Sequence, residues 1–217
     1  RNRSCSAGYW WRKDAENTWC FRWVRWCTGS LFKCIDWGLI ISNNLKILGI
    51  DPGLKITGYG LINKHDNNLK YLTSGVIKSP ADEKDLSKRL KVICTGLKEI
   101  IDTYKPDCVS IEKVFVNVNP HTTLLLGQAR GAAISISVLN DLDVYEYTAL
   151  QIKKSVVGNG HAAKEQVQMM VKKLLDLPAL TSKDSADALA CAICHANISQ
   201  ALQNFNVGTR MKGGRFV

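Results

Sequence analysis

The chain has 217 residues, enough for one ordinary domain with a sizeable core and not clearly enough for two. Its 29 Lys and Arg against 19 Asp and Glu leave a net charge of +10, which favours contact with a polyanion such as nucleic acid and says nothing of fold. No apolar run approaches the roughly 18 residues of a membrane-spanning helix, so no membrane partner is expected.

The opening of the chain is unlike the rest. All six Trp, at positions 10, 11, 19, 23, 26 and 37, and four of the eight Cys fall within residues 1–44. The segment lacks a charged start with an apolar run and a small-residue cleavage site, and it has no sustained helical or alternating period. Cys20, Cys27 and Cys34 recur at a step of seven, but the residues between them support neither a helix face nor a metal site. The expectation is that residues 1–44 are non-native upstream translation, disordered or poorly structured, with a domain over 45–202 and a flexible basic tail over 203–217.

Three strand-like runs open that domain: Lys46–Asp51, Ile56–Asn63 and Leu69–Lys78. They are separated by Pro52-Gly53 and by KHDNN, and connections this short predict antiparallel hairpins. Leu86, Leu90, Ile93, Leu97, Ile100 and Ile101 then recur at helical steps, followed by Pro106 and the short buried strand CVSIE at 108–112. TLLLGQARGAAISISVL at 123–139 predicts a packed helix, whose Gly127 and Gly131 give a close-packing face suited to a core or a dimer interface. DVYEY at 143–147 predicts a strand, and KEQVQMMVKKLLD at 164–176 and SKDSADALACAICHANISQ at 182–200 predict two more helices. Three consecutive strands followed by alternating helices and strands make an α/β fold, a mixed sheet flanked by helices. Cys94 and Cys108 lie in apolar-periodic segments, and Cys191 and Cys194 form a CxxC with only His195 nearby. They read as buried small residues in a reducing, cytoplasmic compartment, with no zinc and no disulfide.

Asp51 ends the first strand against a Pro-Gly turn, and taken alone it reads as a turn residue. Partners change that reading. Glu112 ends the strand CVSIE, and Asp184 and Asp187 stand three apart at the start of the last helix, where Ser182 is a candidate N-cap. Residues three apart share a helix face, and carboxylates in a first turn are favoured by the helix dipole, so the fold can bring four acids together. With no run of His or Cys beside them, such a cluster calls for a hard cation with oxygen ligands, magnesium or manganese. The matching chemistry is phosphoryl transfer, in which two ions about 4 Å apart activate a water and stabilise the departing 3′ oxygen of a phosphodiester.

ILGIDPGLKITGYGLI, SIEKVF, LLLGQARGAAI, YTALQIKKSVVGNGHAAKEQVQMMV and DSADALACAICHA, in that order, resemble the RuvC family of Holliday-junction endonucleases over nearly all of residues 45 to about 200. The resemblance implies a ribonuclease H-like fold with a mixed five-stranded sheet, and a homodimer that cuts four-way DNA junctions to leave 5′-phosphate nicks. It implies Mg2+ as cofactor, two ions per subunit with Mn2+ able to substitute, and RuvA and RuvB as branch-migration partners. It assigns metal binding to Asp51, Glu112, Asp184 and Asp187, a base contact at the junction centre to Phe115, and contacts with the scissile phosphate or DNA backbone to Lys153 and Lys164. Spacing alone reads Phe115 as a core residue, Lys153 and Lys164 as solvated helix charges and His161 as a loop residue. Nothing in the family resembles the Trp-rich opening.

Two rivals come from other classes. GIDPGLKITGYG also resembles the first phosphate loop of sugar kinases and actin-like ATPases, but no later DxGxG or Gly-rich adenosine motif follows. A junction-binding protein without catalysis would keep the basic surface and lose acids, whereas all four are present.

Overall fold

In the computed structural model the described residues are 8–13, 19–24, 44–80, 85–113, 120–179, 182–208, 211–212 and 215–216. The chain divides into two units, Arg1–Ser42 and Asn43–Val217. In the first, strands β1 (Gly8–Lys13) and β2 (Trp19–Val24) pair antiparallel with Gly8 opposite Val24, an element that the sequence reading did not anticipate.

The second unit begins with β3 (Asn44–Asp51), β4 (Ile56–His65) and β5 (Asn68–Lys78), the three runs read from strand-like stretches between turn-formers. They form two antiparallel hairpins. Next come α1 (Leu86–Tyr104), β6 (Cys108–Glu112), α2 (Pro120–Val138) and β7 (Asp143–Tyr147). The chain continues through α3 (Ala149–Val157), α4 (Lys164–Leu174) and α5 (Lys183–Gly208), and ends with the short pair β8 (Met211–Lys212) and β9 (Arg215–Phe216). Helix α5 thus runs past the expected domain end at residue 202. The sheet order is β5-β4-β3-β6-β7, with β6 parallel to both β3 and β7. This is the mixed five-stranded sheet of a ribonuclease H-like α/β fold.

Side chains alternate across the sheet, so each face has its own core. Leu48, Ile50, Leu61, Val109 and Ile111 pack with Ile93, Leu97, Ile100 and Ile101 of α1 and with Ala129 and Ala133 of α2. Ile47, Ile62, Cys108 and Tyr147 point the other way, to Ile152 and Val156 of α3, Val167 and Val171 of α4, and the run Leu189–Cys194 of α5. Helix α5 is seated unusually close to the strands because the residues beneath it are small. A Cβ on Gly49 would lie 2.0 Å from the Ala188 carbonyl oxygen, and one on Gly60, its partner across the hairpin, 2.6 Å from the Leu189 side chain. On the other side of Gly49, the buried Ser110 hydroxyl donates to the Cys191 carbonyl at 2.7 Å.

One helix was not foreseen. The Thr148 hydroxyl accepts from the Gln151 backbone N–H and the Gln151 side chain accepts from the Thr148 N–H, a capping box that starts α3, and Gly158 at φ 89° ends it. The TALQ stretch carried that signal, but only Leu150, Ile152, Val156 and Val157 mark an apolar pattern over so short a length. Cys94, Cys108, Cys191 and Cys194 are free thiols, and His195 is buried with its Nδ1 bonded to the Tyr147 hydroxyl at 2.8 Å.

Candidate active site

Two successive rows of the sheet build the site. The lower row, Gly60–Gly49–Ser110, is the seat for α5. Two residues further along each strand, on the same face, comes the row Gly58–Asp51–Glu112. Asp51 pairs with Gly58 across the hairpin, and Glu112 follows Ile111, the partner of Ile50. The lower row admits the helix and the upper row carries the acids. A Cβ on Gly58 would stand 2.2 Å from the Asp184 carbonyl oxygen, so the first turn of α5 rests directly beside Asp51. Asp184, Asp187, Ala188 and Cys191 lie at helical steps on the face turned toward these strands. Ser182 starts the turn, its hydroxyl accepting from the Ser185 N–H at 3.0 Å.

The electrostatics record this convergence. Burial, then the charges of Asp187, Glu112 and Asp184, push the Asp51 carboxyl up from 3.8 to about 7, with Lys164 opposing. Burial and Asp187 raise Glu112 as well, against Lys164 and Lys153. Asp187 is raised by burial despite its bond to Lys164, whose ammonium is 2.5 Å from its carboxylate. Lys164 is in turn held above its ordinary value, first by that hydrogen bond. Each acid destabilises the charge of its neighbours, and Lys164 neutralises part of the sum.

The structure therefore brings together Asp51, Glu112, Asp184 and Asp187 with Lys164, the first residue of α4. Lys153, on α3, shares with Glu112, Lys164 and Asp187 the wall of a cleft of about 200 Å³. Gly127 and Gly131 are on α2 and are exposed, with open space around each. Phe115 lies outside the described residues. Residues that reading the motifs alone did not assign to the site are Gly49, Gly58, Gly60 and Ser110. The signal for three of them was glycine recurring on one face of two paired strands.

The donor set fits a hard divalent cation, since every candidate ligand is a carboxylate and their shared charge is only partly offset by one ammonium. Among the described residues no three His, Cys, Asp or Glu side chains are drawn tightly enough to hold an ion as they stand. The acids share a field rather than a point, and Lys164 engages Asp187.

The family model described as crossover junction endodeoxyribonuclease RuvC matches residues 47–195. The crossover junction endodeoxyribonuclease RuvC of Methylobacillus flagellatus is 59% identical over 177 residues, covering 79% of this chain and 98% of its own. That of Thiobacillus denitrificans is 58% identical over 173 residues, covering 80% and 100%. Among solved structures, T. thermophilus RuvC in complex with Holliday junction substrate superposes with a TM-score of 0.68 at 30% identity, covering 72% of this chain and 96% of that one. The yeast mitochondrial Holliday junction resolvase Ydc2 shares the fold, with a TM-score of 0.56 at 13% identity over 74% and 83% of the two chains. The first unit lies outside the family match, and over the second unit the sheet order, the acid row and these likenesses agree: the chain belongs to the RuvC family of crossover junction endodeoxyribonucleases.

Proposed function

We propose that this chain resolves four-way DNA junctions, hydrolysing one phosphodiester in each of two strands to leave 5′-phosphate nicks. The observation that carries the reading is the convergence of Asp51, Glu112, Asp184 and Asp187 from two strand ends and one helix start, where burial and then the neighbouring acids push the Asp51 carboxyl up to about 7. Nucleases of this family are metal-dependent, and we assign Mg2+, two ions per subunit, to these four acids, with Mn2+ able to substitute. Bound there, the cation supplies charge neutralisation and an activated water. The protein's own part is to hold four carboxylates ready at the ends of two interior strands and on a helix turn, and to screen them with Lys164 until the cation and DNA arrive.

Lys164 and Lys153 face the same cleft and differ in what they touch. Lys164 bonds a candidate metal ligand directly, so Lys164→Ala is expected to lower the single-turnover rate at saturating enzyme, by roughly ten- to a hundredfold. Lys153 reaches Glu112 only through its field, and Lys153→Ala is expected to weaken junction binding and lessen its salt dependence by about one unit of slope. Binding isotherms at several salt concentrations beside single-turnover rates separate the two. Equal effects of both variants on both quantities would contradict this division.

The homodimer is assigned to α2, where Leu124, Gly127, Gly131, Ser135 and Val138 recur on one exposed face; Leu124 is 65% and Val138 56% exposed. Phe115 is assigned to a base at the junction centre, and RuvA and RuvB to branch migration beside the resolvase. The action is assigned to the cytoplasm, a reading that the free thiols among the described residues and a DNA substrate support. No helix among the described residues is long and apolar enough to cross a membrane.

The deciding experiment compares a synthetic four-way junction with a plain duplex of the same sequences. Paired nicks in the junction with Mg2+ or Mn2+, none in the duplex and none with Ca2+ alone, are expected, since calcium takes longer and looser coordination. Equal cutting of both substrates would refute the junction reading. Tight junction binding with no cleavage under any of these ions would favour the non-catalytic binder.

A further inference from the structure

Arg130 is remote in sequence from the four acids, yet it is bonded to the backbone of one of them. From α2 its Nε donates to the Glu112 carbonyl oxygen at 3.2 Å, while a terminal guanidinium nitrogen pairs with the Glu146 carboxylate on β7. The Arg130 side chain is only 22% exposed, so the pair is partly shielded from solvent. The other end of the same peptide is held too, because the Lys113 N–H donates to the Tyr147 carbonyl at 2.8 Å.

Strand pairing explains why this peptide needs an outside partner. The register of β6 with β3 stops at Ile50–Ile111, one residue short of Glu112, whereas that with β7 reaches Glu112–Tyr147. At Glu112 the sheet supplies a ladder on one side only. A half-buried carbonyl without a ladder partner is costly, and a charged donor satisfies it with a stronger bond than a neutral one. A guanidinium, with several donors in a rigid planar fork, is pre-organised to grip a carboxylate and a carbonyl in fixed directions, which a freely rotating ammonium is not.

We propose that Arg130 is a positioning residue that fixes the Glu112 backbone, and so its carboxylate, for binding a divalent cation, with Glu146 orienting the guanidinium. This rests on the reading of Glu112 as a metal ligand. Groups that orient ligands change metal affinity by about ten- to a hundredfold when removed.

The test is Mn2+ titration of the DNA-free protein, followed by thermal unfolding. Arg130→Lys keeps a cation able to reach Glu146 but lacks the planar fork that holds the Glu112 carbonyl in a fixed direction, so it tests that geometry apart from the charge. Its half-saturating Mn2+ concentration is expected to rise about tenfold. Its melting temperature in chelator is expected to fall by a few degrees, since the Glu112 carbonyl loses its partner, and its junction binding in chelator should stay near that of the wild type. Single-turnover cleavage should recover as Mn2+ is raised. Arg130→Met should show a larger shift and Glu146→Gln a smaller one; if Arg130→Met does not fold, the other two variants decide. An unshifted Mn2+ requirement in Arg130→Lys overturns the proposal, whether the variant melts early or cuts slowly. A wild-type protein that Mn2+ does not stabilise at all overturns it together with the assignment of Glu112. Because Mn2+ binding is read without DNA, a protein that binds Mn2+ with the expected shifts yet fails to cut junctions refutes the junction function alone.

Discussion

Asp51→Asn is expected to lower junction cleavage about a thousandfold or more and, in the same protein, to raise the melting temperature of the metal-free form at about pH 8. The two effects have one cause. Burial and the charges of Asp187, Glu112 and Asp184 lift the Asp51 carboxyl to about 7, so the ionised side chain is held against its own environment. Between about 4 and about 7 the folded protein keeps a proton that the unfolded chain releases; the stability this lends is full below that window and is lost as pH rises through it. Above about 7 the folded wild type carries the whole repulsion. Asn removes that charge, which gives the largest gain at about pH 8 and a smaller one at about pH 5, where Asp51 is itself protonated. Mn2+ should reverse the order at about pH 8, stabilising the wild type strongly and the variant weakly, because metal and proton compete for the carboxylates. Thermal unfolding at the two pH values, in chelator and in Mn2+, beside single-turnover cleavage, checks each part. An Asn variant that melts lower than the wild type in chelator at about pH 8 would show Asp51 to be a structural turn residue, the role it has when read alone.

Strands β3, β4 and β5, helices α1, α4 and α5, and the ends at which the four acids stand were legible from local pattern. Strand-like runs, Pro-Gly punctuation and three- and four-residue steps are properties of short windows. The family motifs added the chemistry and the ribonuclease H-like sheet order. What escaped the motifs depended on contacts between distant segments. That Gly58 lies opposite Asp51 and beneath Asp184 is fixed by hairpin register and helix seating, neither of which a window contains. The bond of Lys164 to Asp187 joins helices α4 and α5, and the grip of Arg130 on Glu112 joins helix to strand end. Helix α3 escaped because nine residues offer too few turns for a period to stand out, leaving a capping box as the main sign. The pair β1–β2 escaped because Trp, Arg and Cys there follow no alternation.

Gly58→Ala tests the register argument, and its effect on activity should greatly exceed its effect on stability. The added methyl would stand 2.2 Å from the Asp184 carbonyl oxygen and 3.2 Å from the Asp184 Cβ, distances that only backbone movement can relieve. The movement falls on the first turn of α5, which is held at that end by the Ser182 cap and the Lys164–Asp187 pair and further along by the Gly49 seat and the Ser110 bond to Cys191. Lifting that turn carries Asp184, and with it Asp187, away from Asp51 and Glu112. Overpacking of this kind costs about 1–3 kcal/mol, which for a unit of this size lowers the melting temperature by roughly 2–12 °C. A reacting geometry displaced by about an ångström loses roughly a hundredfold in rate. The variant is therefore expected to fold, to bind four-way junctions nearly as well as the wild type, and to cut them about a hundredfold more slowly at saturating metal. Gly49→Ala makes the comparison, because its methyl would meet the Ala188 carbonyl at 2.0 Å in the body of the helix, where the seat is tightest. That variant should lose more stability than Gly58→Ala. If Gly58→Ala instead cleaves at the wild-type rate while melting lower, the first turn of α5 yields without moving its acids, and the pairing of Asp51 with Gly58 does not set the distance between strand and helix carboxylates.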